Sequence, residues 1–350
     1  MIWENIRGHA DRVAMFRRSL ARGRMSHAYL FTGPAGCGKR LFAKTLAQCL
    51  FCERFADSEL SACGECSGCR MMRAGTHPDF HVVSRLRDKK ELLIAQFIGE
   101  DDSRGRQGLC HDLSLRPMAS DRRFAVIDDA DHMRMEAANA LLKTLEEPPE
   151  RAVIVLVAEN VDALLPTIRS RCQLVRFAPL ADADAAELLL ELEWVTDREE
   201  ARSIAALCEG SLAMAEQLLE PALRRLREML TQGLAAREVD GVRLAAQANA
   251  GIEEIGGDKA LHRRNAGWLT RFCLEFYRRA ARELAGSGGA TGPAAEFASR
   301  LDASRPETLE RVLEMFDRVA EAERQLDRAA PPALCLESLF HDLDRLHHAV

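Results

Sequence analysis

The chain has 350 residues, 47% of them apolar and 29% charged, with a formal net charge of −6. That length suggests two or three domains of about 100–200 residues each, and the negative balance excludes a protein held on nucleic acid by bulk charge, leaving only local basic patches. No apolar run approaches the roughly 20 residues of a membrane span, and Met1-Ile2-Trp3-Glu4-Asn5 lacks the basic start and apolar core of a signal peptide. A cytoplasmic protein with no membrane partner is expected, and its 11 cysteines then read as thiols or metal ligands.

Residues 6–22 read as a helix with Val13, Phe16 and Leu20 on one face. Ala28-Tyr29-Leu30-Phe31 reads as a short buried strand. It runs into Gly33-Pro34-Ala35-Gly36-Cys37-Gly38-Lys39-Arg40 and then a helix over 41–51. Strand, glycine loop and helix in that order are the context of a phosphate-binding loop. Gly33, Gly36 and Gly38 would let backbone N–H groups wrap phosphates, and Lys39 would reach the β and γ oxygens. The pattern wants Ser or Thr after the lysine to hold Mg²⁺, and here Arg40 stands there. A guanidinium cannot ligate a metal and its charge opposes one. The expectation is a loop that keeps its fold without hydrolysis, with ATP binding left open.

Cys63-x-x-Cys66-x-x-Cys69 is a tight triplet, and Cys52 just past the preceding helix supplies a fourth thiolate. Four thiolates make a closed tetrahedral zinc site with no position for water, hence a structural Zn²⁺. Cys49 lies one helical turn earlier and could replace Cys52, and an iron–sulfur cluster also accepts four cysteines. His77 reads as a loop residue. Residues 80–83 read as a strand, 85–108 as a solvated loop around a helix near 91–98, and 109–115 as a helix end stopped by Pro117.

Phe124-Ala125-Val126-Ile127-Asp128 is a buried strand ending in an acid, where a P-loop ATPase keeps its metal-binding Asp. Asp129 follows where a catalytic Glu is usual, and it is one methylene shorter. A helix N-terminal acidic pair is an equal reading of Asp128 and Asp129. Residues 135–147 read as a helix stopped by Pro148-Pro149, and 152–157 as a strand of a parallel sheet. Thr167-Ile168-Arg169-Ser170-Arg171-Cys172 then presents two arginines. A chain that keeps arginines beside a damaged nucleotide loop is suited to serve a neighbour's site. Beyond Pro179 the pattern is helical throughout: 182–191, 197–208 and 212–219 as a small three-helix unit, then longer helices from 223, broken at Gly256-Gly257 and Gly286-Ser287-Gly288-Gly289, and a last helix over 333–348.

Several stretches together resemble the delta-prime subunits of the bacterial DNA polymerase III clamp loader. They are Ser26-His27-Ala28-Tyr29-Leu30-Phe31, the loop and cysteine module, and Gly75-Thr76-His77-Pro78-Asp79. Asn139-Ala140-Leu141-Leu142-Lys143-Thr144-Leu145-Glu146-Glu147-Pro148-Pro149 and Ser170-Arg171-Cys172 complete the set, which covers the first half of the chain. The resemblance implies an α/β AAA+ P-loop domain over 1–177 with an inserted zinc module at 52–69. A helical lid over 178–221 and an all-α collar over 222–350 would follow. It implies a hetero-pentameric ring with motor and delta-like subunits, a sliding clamp loaded onto primed DNA, and Arg171 acting in trans on ATP bound to the adjacent motor subunit. An arginine so placed neutralises charge developing on the γ-phosphate. The plainer reading of Arg171 is a salt bridge at the strand end, a role that suits Arg169 better. Arg40, Asp129 and the arginine-free Gly210-Ser211-Leu212-Ala213-Met214-Ala215 agree with a subunit lacking ATPase activity of its own, with Gly33, Gly36, Gly38, Lys39 and Asp128 as a vestigial ATP site. Two other readings compete. One is an ATP-hydrolysing gamma/tau-like motor subunit. The other is a zinc-dependent DNA-binding module, for which Arg54, Arg70 and Arg73 are offset by Glu53, Asp57, Glu59 and Glu65.

Overall fold

The computed structural model describes residues 2–3, 6–86, 89, 91–256, 259–287, 292–328 and 330–348. Gly257, Gly288 and Gly289, named above as chain breaks, lie outside them. Two compact units divide the chain: Met1–Asp184 with Gly210–Ala213, and Ala185–Glu209 with Met214–Val350.

The first unit is a parallel sheet with helices on both faces. In chain order it holds α1 (Ala10–Ala21), β1 (Ala28–Thr32), α2 (Lys39–Leu50), α3 (Ser67–Ala74), β2 (Phe80–Val83), α4 (Ala95–Ile98) and α5 (Leu109–Ser114). There follow β3 (Arg123–Ile127), α6 (Met135–Glu146), β4 (Ala152–Ala158), α7 (Pro166–Arg169) and β5 (Gln173–Arg176). The strand order is β2-β3-β4-β1-β5, and every pairing is parallel. β1, β3 and β4 are buried at every residue, as strands covered on both faces must be. Their side chains alternate between two cores. Tyr29, Phe31, Val153 and Val155 join Phe16, Phe42 and Leu46 on one face. Leu30, Ile154 and Leu156 join Leu141, Leu145 and Phe97 on the other.

Two helices differ from their expected extents. The first begins at Ala10, not residue 6, because Gly8 takes φ 74 and turns the chain before it. The helix near 91–98 shrinks to Ala95–Ile98, since Leu92 instead bridges to Met133 and Gly99, at φ 83, ends the turn. The other elements given expected bounds fall within two residues of them, whereas the short elements Ser67–Ala74, Pro166–Arg169 and Gln173–Arg176 and the helix breaks after Leu234 and Ser299 have no counterpart in the sequence reading.

Asp79 shows why the stretch before β2 matters. It is fully buried, and its carboxylate accepts the N–H groups of Met118, Ala119 and Ser120 at 2.7, 2.8 and 2.9 Å and the Ser120 hydroxyl at 3.1 Å. Arg123 lies 3.9 Å away and donates to the carbonyls of Leu115 and Arg116. One carboxylate thus holds the turn that feeds the inner strand β3. Burial pushes its pKa up, but the four donors outweigh burial and leave it below the ordinary aspartate value.

The second unit is helical. α8 (Asp182–Glu191) and α10 (Leu212–Leu218) begin in the first unit and finish here. α9 (Arg198–Leu207), α11 (Pro221–Leu234), α12 (Gly241–Ile255), α13 (Lys259–Leu284), α14 (Pro293–Ser299), α15 (Pro306–Asp327) and α16 (Pro332–His347) complete it. α13 runs along α15, and α12 along α16. Phe276, Tyr277 and Phe297 form one aromatic group, and the Tyr277 hydroxyl lies 2.8 Å from His347 Nε2. Burial holds the His347 pKa down at about 4. No helix among the described residues is long and apolar enough to cross a membrane.

Two stability predictions follow from these buried groups. Asp79→Ala will cost about 3 kcal/mol in denaturant unfolding, because three backbone N–H groups and a hydroxyl lose their charged acceptor; a loss below about 1 kcal/mol would refute the anchoring role. Its contribution is complete above the ordinary aspartate pKa and is lost as pH falls below about 3.9. For His347, whose folded pKa is depressed, the unfolded chain takes up the proton first. The helical unit should therefore lose about 2 kcal/mol as pH falls from about 6.5 toward 4, a slope that His347→Gln flattens.

Candidate functional site

The loop between β1 and α2 lies at the carboxyl edge of the sheet, where open α/β sheets bind their ligands. Gly36 and Gly38 take φ 65 and 95, which suit glycine. A Cβ on Gly36 would lie 2.5 Å from the Ala213 nitrogen, because 210–213 runs against the loop and Leu212 N–H donates to the Gly36 carbonyl at 3.2 Å. Lys39 is buried, and its Nζ donates to the carbonyls of Gly33 at 2.7 Å and Pro34 at 2.5 Å. His9 is buried beneath the loop with Nε2 2.6 Å from the Cys37 carbonyl, and burial lowers its pKa.

Asp128 follows β3 and faces this loop. Arg40 Nη1 lies 3.1 Å from its Oδ2. Burial pushes the Asp128 pKa up, Arg40 opposes that, and the balance stays above the ordinary value. Asp129 takes φ 54, and Arg85 grips both its oxygens at 2.9 and 3.3 Å. Asp131 accepts the N–H groups of Glu159 and Asn160 at 3.1 and 3.0 Å. These acids, Lys39, Arg40, Leu212 and Ala213 line one cavity of about 430 Å³. Gly36, Gly38, Lys39 and Asp128 are thus brought together as expected, and Gly33 contributes its carbonyl to Lys39. Asp128 and Asp129 are occupied by arginines and do not cap a long helix; only a three-residue 3₁₀ turn, Ala130–His132, follows. The donor set does not fit Mg²⁺, which wants oxygen ligands, because a guanidinium stands where one of them is needed.

Arg85 and His9 escaped the sequence reading. Arg85 sits in a polar stretch with no periodicity, and His9 was placed inside a helix. Neither pairing has a local signature: 44 residues separate Arg85 from Asp129, and 28 separate His9 from Cys37.

Arg171 and Arg169 lie at the end of α7. Arg169 Nη1 lies 3.0 Å from Asp162 Oδ1. Arg171 donates to the Thr167 carbonyl at 2.9 Å and lies 2.8 Å from Glu146 Oε1 at the end of α6. Its side chain remains 35% exposed. Both arginines are therefore paired, and the salt bridge expected of Arg169 is matched at Arg171.

The thiols of Cys52, Cys63, Cys66 and Cys69 form one cluster, all four sulfurs within 4.8 Å of one another. Cys63 Sγ and Cys69 Sγ are 3.9 Å apart. A tetrahedron with metal–sulfur bonds of about 2.3 Å has edges near 3.8 Å, so the spacing suits a metal ion. Cys49 lies outside the cluster, and burial raises its pKa to about 12. His77 is also outside, stacked on Phe51 at 4.1 Å. The N–H groups of Cys66 and Glu65 point at Cys63 Sγ from 3.3 and 3.4 Å and draw its pKa down to about 6. Arg54 is paired with Glu65 at 2.7 Å, and Arg73 donates to the Gly64 carbonyl.

Residues 8–181 match the family model described as DNA polymerase III, delta subunit. A DNA polymerase III subunit delta' of Pseudomonas aeruginosa is 34% identical over 227 residues, 63% of this chain and 64% of that one. The subunit delta' of Bacillus subtilis is 35% identical over 190 residues, 54% of each chain. A subunit gamma/tau of Mycobacterium tuberculosis is 35% identical over 153 residues, 44% of this chain and 24% of that one. The chain covers less than two thirds of the length of these relatives. By the family model and its delta' relatives, the chain belongs to the DNA polymerase III delta-subunit family.

Proposed function

We propose that this chain is a non-motor subunit of a DNA polymerase III clamp loader. It helps load a sliding clamp onto primed DNA and lends Arg171 to ATP held by the adjacent motor subunit. The observation that carries this reading is a contrast within one unit. The chain's own metal position is taken by the Arg40–Asp128 ion pair, while Arg171 stands part-exposed at the end of α7. An arginine held by a surface carboxylate can leave it cheaply, since exposed pairs contribute about 0–1 kcal/mol. A neighbour's γ-phosphate is a stronger partner for it.

The wider architecture belongs to the same proposal. The first 177 residues act as an AAA+ domain, 178–221 as a lid, and 222–350 as the collar that assembles a pentameric ring with motor and delta-like subunits. The cysteine cluster holds a structural zinc, whose closed thiolate set leaves no position for catalysis.

ATP turnover, measured on the chain alone and then in a complex with motor subunit, clamp and primed DNA, tests the reading. The chain alone should be silent. In the complex, Arg171→Ala should slow hydrolysis at the neighbouring site by roughly 10³-fold without changing assembly. Unchanged turnover, or turnover by the chain alone that Lys39→Ala abolishes, would return the motor-subunit reading. Elemental analysis should find zinc in the purified chain. Cys66→Ser should release it and lower the melting temperature, because metal binding and local folding are linked. Iron in place of zinc would indicate a cluster, and no metal would remove the site.

A further inference from the structure

The loop keeps its phosphate cradle but has replaced its metal site with a side chain, and the two facts together have a chemical consequence. In a P-loop enzyme Mg²⁺ lies between the residue after the lysine and the acid at the end of the neighbouring strand. Here those positions are Arg40 and Asp128, joined at 3.1 Å. Mg²⁺ needs oxygen ligands in near-octahedral array, and Arg40 offers none while adding a fixed positive charge. A metal-bound nucleotide would bring its cation against a guanidinium.

The phosphate side of the cavity is otherwise suited to anions. Lys39 Nζ has only the uncharged carbonyls of Gly33 and Pro34 as partners, with no salt bridge among the described residues. Three of the four acids that line the cavity are already compensated, Asp128 by Arg40, Asp129 by Arg85 and Asp131 by two backbone N–H groups, and the fourth, Glu159, is exposed to solvent. The cavity of about 430 Å³ falls within the range of small-molecule sites. Arg40 is 62% exposed and gives only Nη1 to Asp128, so the rest of its guanidinium can take a phosphate oxygen while that pair holds.

We infer that the loop binds nucleoside triphosphate free of metal, with Arg40 serving as the built-in cation that Mg²⁺ supplies elsewhere. Lys39 takes the inner phosphate oxygens, and the Arg40 guanidinium takes the oxygens that the metal would bridge. The site then has a reversed metal preference, and nucleotide bound there is not set up for hydrolysis. This inference is independent of any role of Arg171 in trans.

Titration of the full-length chain with a fluorescent ATP analogue, in EDTA and again in excess Mg²⁺, tests it. Binding should be tighter in EDTA by about tenfold, the size of one like-charge contact in a partly screened site. Inorganic tripolyphosphate should displace the analogue in EDTA, because the cations address phosphates. Lys39→Ala should abolish binding, and Arg40→Ser should reverse the preference, so that Mg²⁺ strengthens binding. Absence of binding in EDTA, a requirement for Mg²⁺ in the unaltered chain, or the same metal preference in Arg40→Ser would each overturn the inference. The comparison of EDTA with Mg²⁺ on the unaltered chain decides the matter even if a variant fails to fold.

Discussion

The position of β4 between β3 and β1 is the constraint on which the site depends. β4 is covered on both faces, so all seven of its residues are buried, and because it pairs on both sides its register fixes the carboxyl ends of its two neighbours. Strands in a sheet lie about 4.8 Å apart, so the ends of β1 and β3 stand about 10 Å from each other. The glycine loop leaves one of them and Asp128 the other. That gap suits a phosphate chain with its metal. It is also a gap that an arginine on the first turn of α2 can bridge, and a serine could not.

The features legible in the sequence were those that physics writes locally. Strands with two buried faces appear as continuous apolar runs, which is why β1, β3 and β4 could be read directly. Glycines needed for a loop, and cysteines needed for a tetrahedral cluster, announce themselves by spacing. Arg40 could be read as an obstacle to a metal because the pattern assigns that position a ligand. Its bond to Asp128, 88 residues away, could not be read, because it depends on strand order. The same holds for the grip of Arg85 on Asp129 and for the Arg171–Glu146 pair. At the N-terminus the apolar periodicity was right but the start was not, because Gly8 overrides it.

The pairing of charges across this unit follows one rule. Asp128, Asp129 and Asp131 each have a fixed partner, and Lys39, the cation in the cradle itself, has only carbonyls among the described residues. A site built for turnover leaves its carboxylates available to metal and water. This one spends them on arginines and backbone N–H groups, which makes a rigid cradle at the cost of the chemistry. Arg171, by contrast, is held by a single exposed carboxylate and two weak acceptors, an arrangement that favours release.

The cysteine module is fastened to the sheet at points remote from its sulfurs. Trp3 Nε1 donates to the Leu60 carbonyl at 2.7 Å, Asp57 lies 2.6 Å from Arg122, and Phe51 stacks on His77 two residues before the Asp79 anchor. A finger attached only at its ends could peel away and leave the sheet intact. One fastened in this way belongs to the same cooperative folding unit as β2 and β3, so an ion held by its four thiols would act as a thermodynamic ligand of the whole α/β unit.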